Sequence, residues 1–322
     1  MLIPSQFRLI NEAVSRSIVC LVGFDIARVT KSSQNRGIFM LPTTLRFKLA
    51  GGALGAKLLD FDAKKLHTDA EYEALLQALA KHCVLILSNQ NLTDLDVVNF
   101  LDRFSTTFEQ WSITPDFLSL ETKKAYVLSS KKNLSRYAGS AWHADYAFDP
   151  KPADISAIYM RTIPTIGGDT GFCNMYAAYD TLSEAMKKYV DGLTALFDNS
   201  IRGNLQHNGY TVSQSQLAQI PPTRHPIVVT HPLTKRKSLY VSEALVDTIL
   251  ELPKRESDSL VRFLHEHINQ LKFQYRHQWH PNDLVLIDNR CTSHCAIADY
   301  DMGELREGIV VCARTEPSCF AL

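Results

Sequence analysis

The sequence predicts a mixed α/β fold with a mainly β core, a barrel or double-sheet jelly roll with helices packed outside it. Three observations predict it. Short apolar runs crowd the middle and the C-terminal third, and Pro, Gly, Asn and Asp punctuate them at strand-like intervals. These runs come from distant parts of the chain, so one body can form only if remote segments pair. Helical spacing of apolar residues is confined to a few separate stretches.

Residues 1–42 read as an N-terminal extension. The polar run Lys31-Ser32-Ser33-Gln34-Asn35-Arg36-Gly37 precedes any periodic pattern, and Met40 offers an alternative start. Leu45, Phe47 and Leu49 then alternate like a strand. Asp69 to Cys83 carries apolar residues at helical spacing, with Thr68 and Glu71 placed for a capping box. Val84 to Leu87 reads as a buried strand, and Asp94 to Phe104 as a helix capped by Thr93 with an acidic first turn. Strands are expected at Ile155 to Met160, Ile227 to Thr230, Ser238 to Val241, Phe273 to Tyr275, Leu284 to Ile287 and Gly308 to Cys312. Helices are expected at Ala177 to Leu196 and Ser257 to Leu271. No repeat, low-complexity tract or charge block divides residues 43–322, so a single domain is expected there.

Charge narrows the function classes. Lys plus Arg and Asp plus Glu stand at 34 each, so no net field gathers nucleic acid or an anionic membrane. The most apolar early stretch, Ile18 to Phe24, is too short to span a bilayer and lacks a signal-peptide layout. Seven scattered cysteines, odd in number and without a CxxC pair, read as reduced thiols in a cytoplasmic protein. A small-molecule substrate is the expected partner, with assembly into a homo-oligomer left open.

The sharpest local feature is Trp142-His143-Ala144-Asp145. At the end of a strand, residues i and i+2 point to one side, so an imidazole and a carboxylate can converge on one ion. His294, at the end of Asp288-Asn289-Arg290-Cys291-Thr292-Ser293-His294, supplies a second imidazole if the fold returns it beside the first pair. Two histidines and one carboxylate on one face of an octahedron leave three positions open, which suits Fe(II), a chelating cosubstrate and dioxygen. Alone, HxD is a frequent chance pattern, and a surface histidine with a capping aspartate explains it as simply. A chelated 2-oxoacid also needs its far carboxylate neutralised, and a guanidinium does this with two parallel hydrogen bonds. Arg306 is placed for that role, although a surface pairing with Glu304 or Glu307 is the commonplace alternative. Thr170, after Gly167-Gly168-Asp169, can add a hydroxyl donor, against the simpler reading of a turn threonine. The remaining histidines read as structural. His265 and His267 lie about 200° apart around a helix, His277 and His280 read as exposed strand or turn residues, and His82 as a neighbour of a core strand.

These residues resemble the taurine dioxygenase and 2,4-dichlorophenoxyacetate dioxygenase family of Fe(II)/2-oxoglutarate enzymes. The resemblance runs from about Phe47 to Pro317. It rests on Ala53-Leu54-Gly55-Ala56, Trp142-His143-Ala144-Asp145, Gly167-Gly168-Asp169-Thr170 followed by Met175-Tyr176-Ala177-Ala178-Tyr179, His231-Pro232-Leu233-Thr234 leading to Leu239-Tyr240-Val241, Pro281-Asn282-Asp283-Leu284, and Asp288 to His294. It implies a double-stranded β-helix, His143, Asp145 and His294 as iron ligands, and Thr170 with Arg306 on the distal carboxylate of 2-oxoglutarate. Arg314 is the alternative to Arg306. It further implies use of dioxygen, decarboxylation of 2-oxoglutarate to succinate and carbon dioxide, and hydroxylation of a small organic acid or amino-acid-like substrate. Desaturation or oxidative rearrangement in a biosynthetic pathway is the alternative within the same chemistry, and a catalytically idle jelly-roll binding protein the alternative outside it. Gln110, Gly139 and Val310 stand where sulfonate-using members carry histidine, asparagine and a second arginine, so taurine is not the expected substrate. Asp145, where halogenating relatives carry a small residue, points to hydroxylase-type chemistry. Trp111, Tyr137, Tyr146 and Phe148 are candidates for a substrate mouth.

Overall fold

In the run Val84 to Leu87 every side chain is buried, and alternate residues go to opposite faces. Leu85 and Leu87 join one apolar core, while Val84 and Ile86 join another. A strand covered on both faces is continuously apolar, and this one sits near the middle of the largest sheet. The computed structural model describes residues 38–40, 45–111, 115–131, 139–199, 213–301, 303–315 and 320. Most of the expected extension over residues 1–42, together with Tyr137, Cys20 and Cys319, lies outside these residues. Gly37–Leu322 form one compact unit.

Strands β1 (Ile38–Met40), β2 (Arg46–Leu49) and β3 (Ala56–Leu59) lead into helix α1 (Asp69–His82), strand β4 (Val84–Leu87) and helix α2 (Asp94–Leu101). There follow β5 (Thr106–Thr107), β6 (Ala125–Ser129), β7 (Ile155–Thr162), β8 (Thr170–Asn174), α3 (Met175–Asp180), α4 (Glu184–Val190) and β9 (Thr194–Phe197). The rest comprises α5 (Gln214–Leu217), β10 (Thr223–Pro226), β11 (Val228–Thr230), β12 (Lys237–Leu239), β13 (Val246–Ile249) and α6 (Lys254–Ile268). It closes with β14 (Gln274–His277), β15 (Asp283–Asp288), β16 (Thr292–Ala296) and β17 (Glu307–Arg314). The content is mixed α/β and mainly β. No described helix is long and apolar enough to cross a membrane.

The large sheet runs β1-β2-β3-β4-β15-β7-β17-β5, with β6 also on β17, and a three-stranded sheet runs β14-β8-β16. Helices α1 and α2 cover one face of the large sheet, packing Leu75, Leu79, Val98 and Leu101 against Leu85, Leu286 and Ile309. The other face shares a core with the three-stranded sheet: Ile86, Ile158, Val285 and Ile287 lie with Phe172, Tyr176 and Trp279. This inner space, between a sheet and a smaller sheet, is where the candidate site residues gather.

The expected capping box of Thr68 with Glu71 is present on α1, and the expected cap Thr93 on α2 proves to be part of a second box, with Asp96. The Thr68 hydroxyl satisfies an otherwise orphaned N–H, so Thr68→Ala is expected to destabilise the protein by about 1 kcal/mol, read as a lower urea midpoint at unchanged slope. Some expectations need correction. The helix expected from Ala177 to Leu196 is two short helices and a strand. Asn174 and Ser183 each cap a new helix start, and Gly192 at φ +86 ends the second and redirects the chain into β9. Helix α2 stops at Leu101, three residues short of Phe104. Leu49 is exposed, where alternation predicts a buried residue, because β2 lies near the sheet edge.

Candidate metal centre

Strand β16, not foreseen from the sequence, carries His294. Opposite it the chain approaches Asp145 along a stretch that is strand-like only at His143. There two backbone hydrogen bonds form a single bridge, His143 N–H to the His294 carbonyl at 3.0 Å and His294 N–H to the His143 carbonyl at 2.8 Å. Ala296 N–H adds a bond to the Gly139 carbonyl at 2.7 Å. The imidazoles of two residues 151 positions apart (294 minus 143) are thereby set 4.3 Å apart, centroid to centroid. Asp145 presents Oδ1 at 3.9 Å from His143 Nε2 and 3.7 Å from His294 Nε2.

The donor set fits a cation. His143 Nδ1 lies 2.8 Å from the Ala141 carbonyl, to which it donates, so Nε2 is the ring nitrogen left toward Asp145. Burial, then the neighbouring His143, pushes the His294 imidazole down to about 4, so it is neutral near pH 7 with a lone pair to offer. At 3.7 and 3.9 Å neither ring is hydrogen-bonded to the carboxylate. Asp145 Oδ2 is buried with no hydrogen-bond partner. A half-buried carboxylate with one oxygen buried and unpaired beside two imidazoles is costly unless a positive ion is shared among them. The three ligand atoms lie within 4.8 Å of one another.

A second group of potential ligands, His231, Asp288 and Cys291, is fully buried but already has its cation. Arg290 chelates Asp288 through Nε at 2.8 Å and Nη2 at 2.7 Å, and His231 Nε2 lies 2.9 Å from Asp288 Oδ2. The cluster braces the turn between β15 and β16, and so the approach to His294.

Thr170 opens β8 and pairs with Ala296 of β16, while Phe172 pairs with His294. Opposed residues and those two apart share a face, so the Thr170 hydroxyl is on the same side of the sheet as His294. Trp279 Nε1–H donates to Thr170 Oγ1 at 2.9 Å. That leaves the hydroxyl proton free to be given to a ligand. Arg306 precedes β17, and its Nε–H donates to the Gly168 carbonyl at 2.8 Å, two residues before Thr170. Its terminal amino groups have no partner among the described residues, and neither Glu304 nor Glu307 pairs with it. Gly168 permits this approach. At φ +71, a Cβ there would sit 3.2 Å from Arg306 Cδ and 2.8 Å from Pro164 Cγ. Arg276 ties the same loop down through Asp169 at 2.6 Å and Asp299 at 2.7 Å.

Arg314 lies eight residues further along β17, about 26 Å of extended chain. It stacks on the Phe108 ring at 3.7 Å and faces Asp149 at 3.5 Å. Of the two candidate arginines, Arg306 is the one that meets the Thr170 loop among the described residues. Trp111, Tyr146 and Phe148 do form one aromatic group, with Phe108 against Tyr146 at 5.0 Å and Trp111 against Phe148 at 6.2 Å. The Tyr146 hydroxyl accepts the Trp111 N–H at 2.7 Å. His277, expected to be exposed, is buried beside Asp283 and Trp279, because β14 is covered by the shared core. Trp279, Gly168 and Asn289 also contribute here without a local sequence pattern that marks them. For Asn289 the available signal was its place between Asp288 and Arg290 in a turn following a continuously apolar strand.

Comparison with known proteins agrees in kind. The sequence profile of the "Taurine catabolism dioxygenase TauD, TfdA family" matches residues 46–312. The alpha-ketoglutarate-dependent 2,4-dichlorophenoxyacetate dioxygenase of Burkholderia sp. (strain RASC) is 37% identical over 182 residues, covering 55% of this chain and 59% of that protein. The match thus spans less than two thirds of that relative. The (S)-phenoxypropionate/alpha-ketoglutarate-dioxygenase of Sphingobium herbicidovorans is 32% identical over 267 residues, 78% of this chain and 87% of that protein. A crystal structure of AAD-2 in complex with Mn(II) and N-oxalylglycine superposes with a TM-score of 0.72 at 27% identity, covering 86% of this chain and all of that one.

Proposed function

Because the chain belongs to the taurine catabolism dioxygenase TauD, TfdA family, we propose that it is a non-haem Fe(II)- and 2-oxoglutarate-dependent oxygenase of a small organic acid. The observation that carries this reading is the convergence of His143, Asp145 and His294, three ligand atoms within 4.8 Å of one another and none hydrogen-bonded to another. In this reading the large sheet and the three-stranded sheet are the two sheets of a double-stranded β-helix, and residues 43–322 are one oxygenase domain. The five described cysteines are free, which suits a cytoplasmic enzyme.

Iron(II) held there with 2-oxoglutarate and dioxygen supplies oxidative decarboxylation to succinate and carbon dioxide, coupled to hydroxylation of the second substrate. The protein's own part is to bind and orient. His143 offers Nε2 because Nδ1 is committed to the Ala141 carbonyl. Two imidazoles and one carboxylate would hold a divalent ion without neutralising it, so that an anionic cosubstrate would be attracted. Arg306, anchored by Nε, would offer its two amino groups to the distal carboxylate, and Thr170 would add its hydroxyl proton. The organic-acid substrate class is carried over from the phenoxyacetate and phenoxypropionate relatives, and the aromatic group of Phe108, Trp111, Tyr146 and Phe148 beside Asp145 gives such a substrate an apolar wall.

The test is a coupled assay on purified protein with Fe(II), 2-oxoglutarate, dioxygen and a panel of aryl and alkyl carboxylates. Substrate-stimulated succinate formation with a product one oxygen heavier is expected, and no succinate with any acid would refute the activity. A product lighter by two hydrogens assigns desaturation instead. Gly168→Ala is expected to raise the KM for 2-oxoglutarate about tenfold, since it displaces Arg306 by strain worth 1–2 kcal/mol, while metal affinity stays at the wild-type value. Initial rates and a metal titration separate the two.

A further inference from the structure

We propose that Asn289 is a positioning residue that holds Asp145 in place for the metal. The proposal rests on the metal-site reading above and concerns how the one carboxylate ligand is kept in register with the two histidines.

The three candidate ligands are not secured alike. His294 is part of β16, and His143 is bridged to it by two backbone hydrogen bonds. Beyond His143 that bridging ends, and the chain turns away through Tyr146, which takes a left-handed conformation at φ +55. Asp145 lies in this turn. No donor among the described residues reaches either of its carboxylate oxygens, and Oδ2 is buried without a partner. Its main-chain N–H instead donates to Asn289 Oδ1 at 3.1 Å.

Asn289 is well placed to serve as that anchor. It is 1% exposed and stands on the turn braced by Asp288, Arg290 and His231. Its own N–H donates to the Asp154 carbonyl at 2.9 Å. Its Nδ2 donates to Ser156 Oγ at 2.8 Å, and Ser156 Oγ lies 3.4 Å from Cys312 Sγ. The side chain therefore links the Asp145 turn to β7 and β17 of the large sheet. The position asks for one acceptor and one donor on a short arm, which asparagine provides. Alanine would leave both the Asp145 N–H and Ser156 Oγ without this partner. Because the histidines are tied by backbone, loss of Asn289 acts chiefly on the carboxylate.

The test is a double-mutant cycle in metal-free protein, with Ni(II) affinity measured by calorimetry. Nickel is chosen because two imidazoles alone still hold it measurably. Asn289→Ala is expected to weaken Ni(II) binding about 10- to 100-fold, the usual cost of losing an outer partner of a ligand. In the Asp145→Ala background the same change is expected to cost about threefold or less, because the group it acts through is gone. Equal losses in both backgrounds, or no loss in the first, would overturn the proposal. Asn289→Ser, too short to reach the Asp145 N–H, carries the same expectation if the alanine variant does not fold. Failure of the underlying reading looks different: Asp145→Ala alone would then bind Ni(II) as tightly as wild type.

Discussion

Asp145→Ala is expected to cut succinate formation by about 100-fold or more, with iron retention after gel filtration falling in parallel. The carboxylate is the only acidic group among the three candidate ligands, and removing it leaves two imidazoles to hold a divalent cation. Loss of a partner outside the ligand set already costs 10- to 100-fold in affinity or activity, so loss of a ligand costs at least as much. The fold is expected to survive, because Asp145 receives no side-chain hydrogen bond and its backbone tie to Asn289 does not need the carboxylate. Circular dichroism at wild-type intensity alongside lost activity supports the assignment. Retained iron and retained turnover would remove Asp145 from the site.

Arg306→Ala is expected to raise the KM for 2-oxoglutarate by between about 30- and 5,000-fold, corresponding to the roughly 2–5 kcal/mol for breaking a buried, hydrogen-bonded charge pair. Metal affinity in the absence of cosubstrate is expected to stay near wild type, since Arg306 meets the Gly168 carbonyl and not the metal ligands. Arg306→Lys is expected to recover only part of the loss. An ammonium keeps the charge but cannot both anchor at the Gly168 carbonyl and present two parallel donors. Arg314→Ala provides the contrast, with little change in this KM expected, because its guanidinium is stacked on Phe108 and turned to Asp149. If Arg314→Ala raised the KM while Arg306→Ala did not, the two roles would be exchanged.

Much of the β core was readable because burial on two faces leaves a strong mark. Val84 to Leu87 and Leu284 to Ile287 are continuous apolar runs, and both prove central in the large sheet. The caps at Thr68 and Thr93 were readable because capping is chemistry local to four residues. Strand β16 was not, since Thr292-Ser293-His294-Cys295-Ala296 is polar and earns its strand from pairing with β8, a tertiary effect that no local pattern reports. The stretch 177–196 carried enough apolar residues at helical spacing to conceal its breaks at Thr181 and Gly192. For the candidate site, residue types at family spacing pointed to His143, Asp145, His294, Thr170 and Arg306 as candidates. The structure adds what spacing cannot: the bridge that brings two histidines together, the Trp279 N–H on Thr170, and the Asn289 amide on Asp145.

The central claim is that His143, Asp145 and His294 hold Fe(II) with coordination positions open to 2-oxoglutarate. Anaerobic titration of the metal-free protein with Fe(II) and then 2-oxoglutarate tests it most directly, through the visible charge-transfer absorption that a 2-oxoacid chelated to ferrous iron produces. A band is expected that grows to one equivalent of each and is absent with Fe(II) alone or with succinate in place of 2-oxoglutarate. No band in folded protein, together with no retained iron, would contradict it and leave these three residues as a structural cluster.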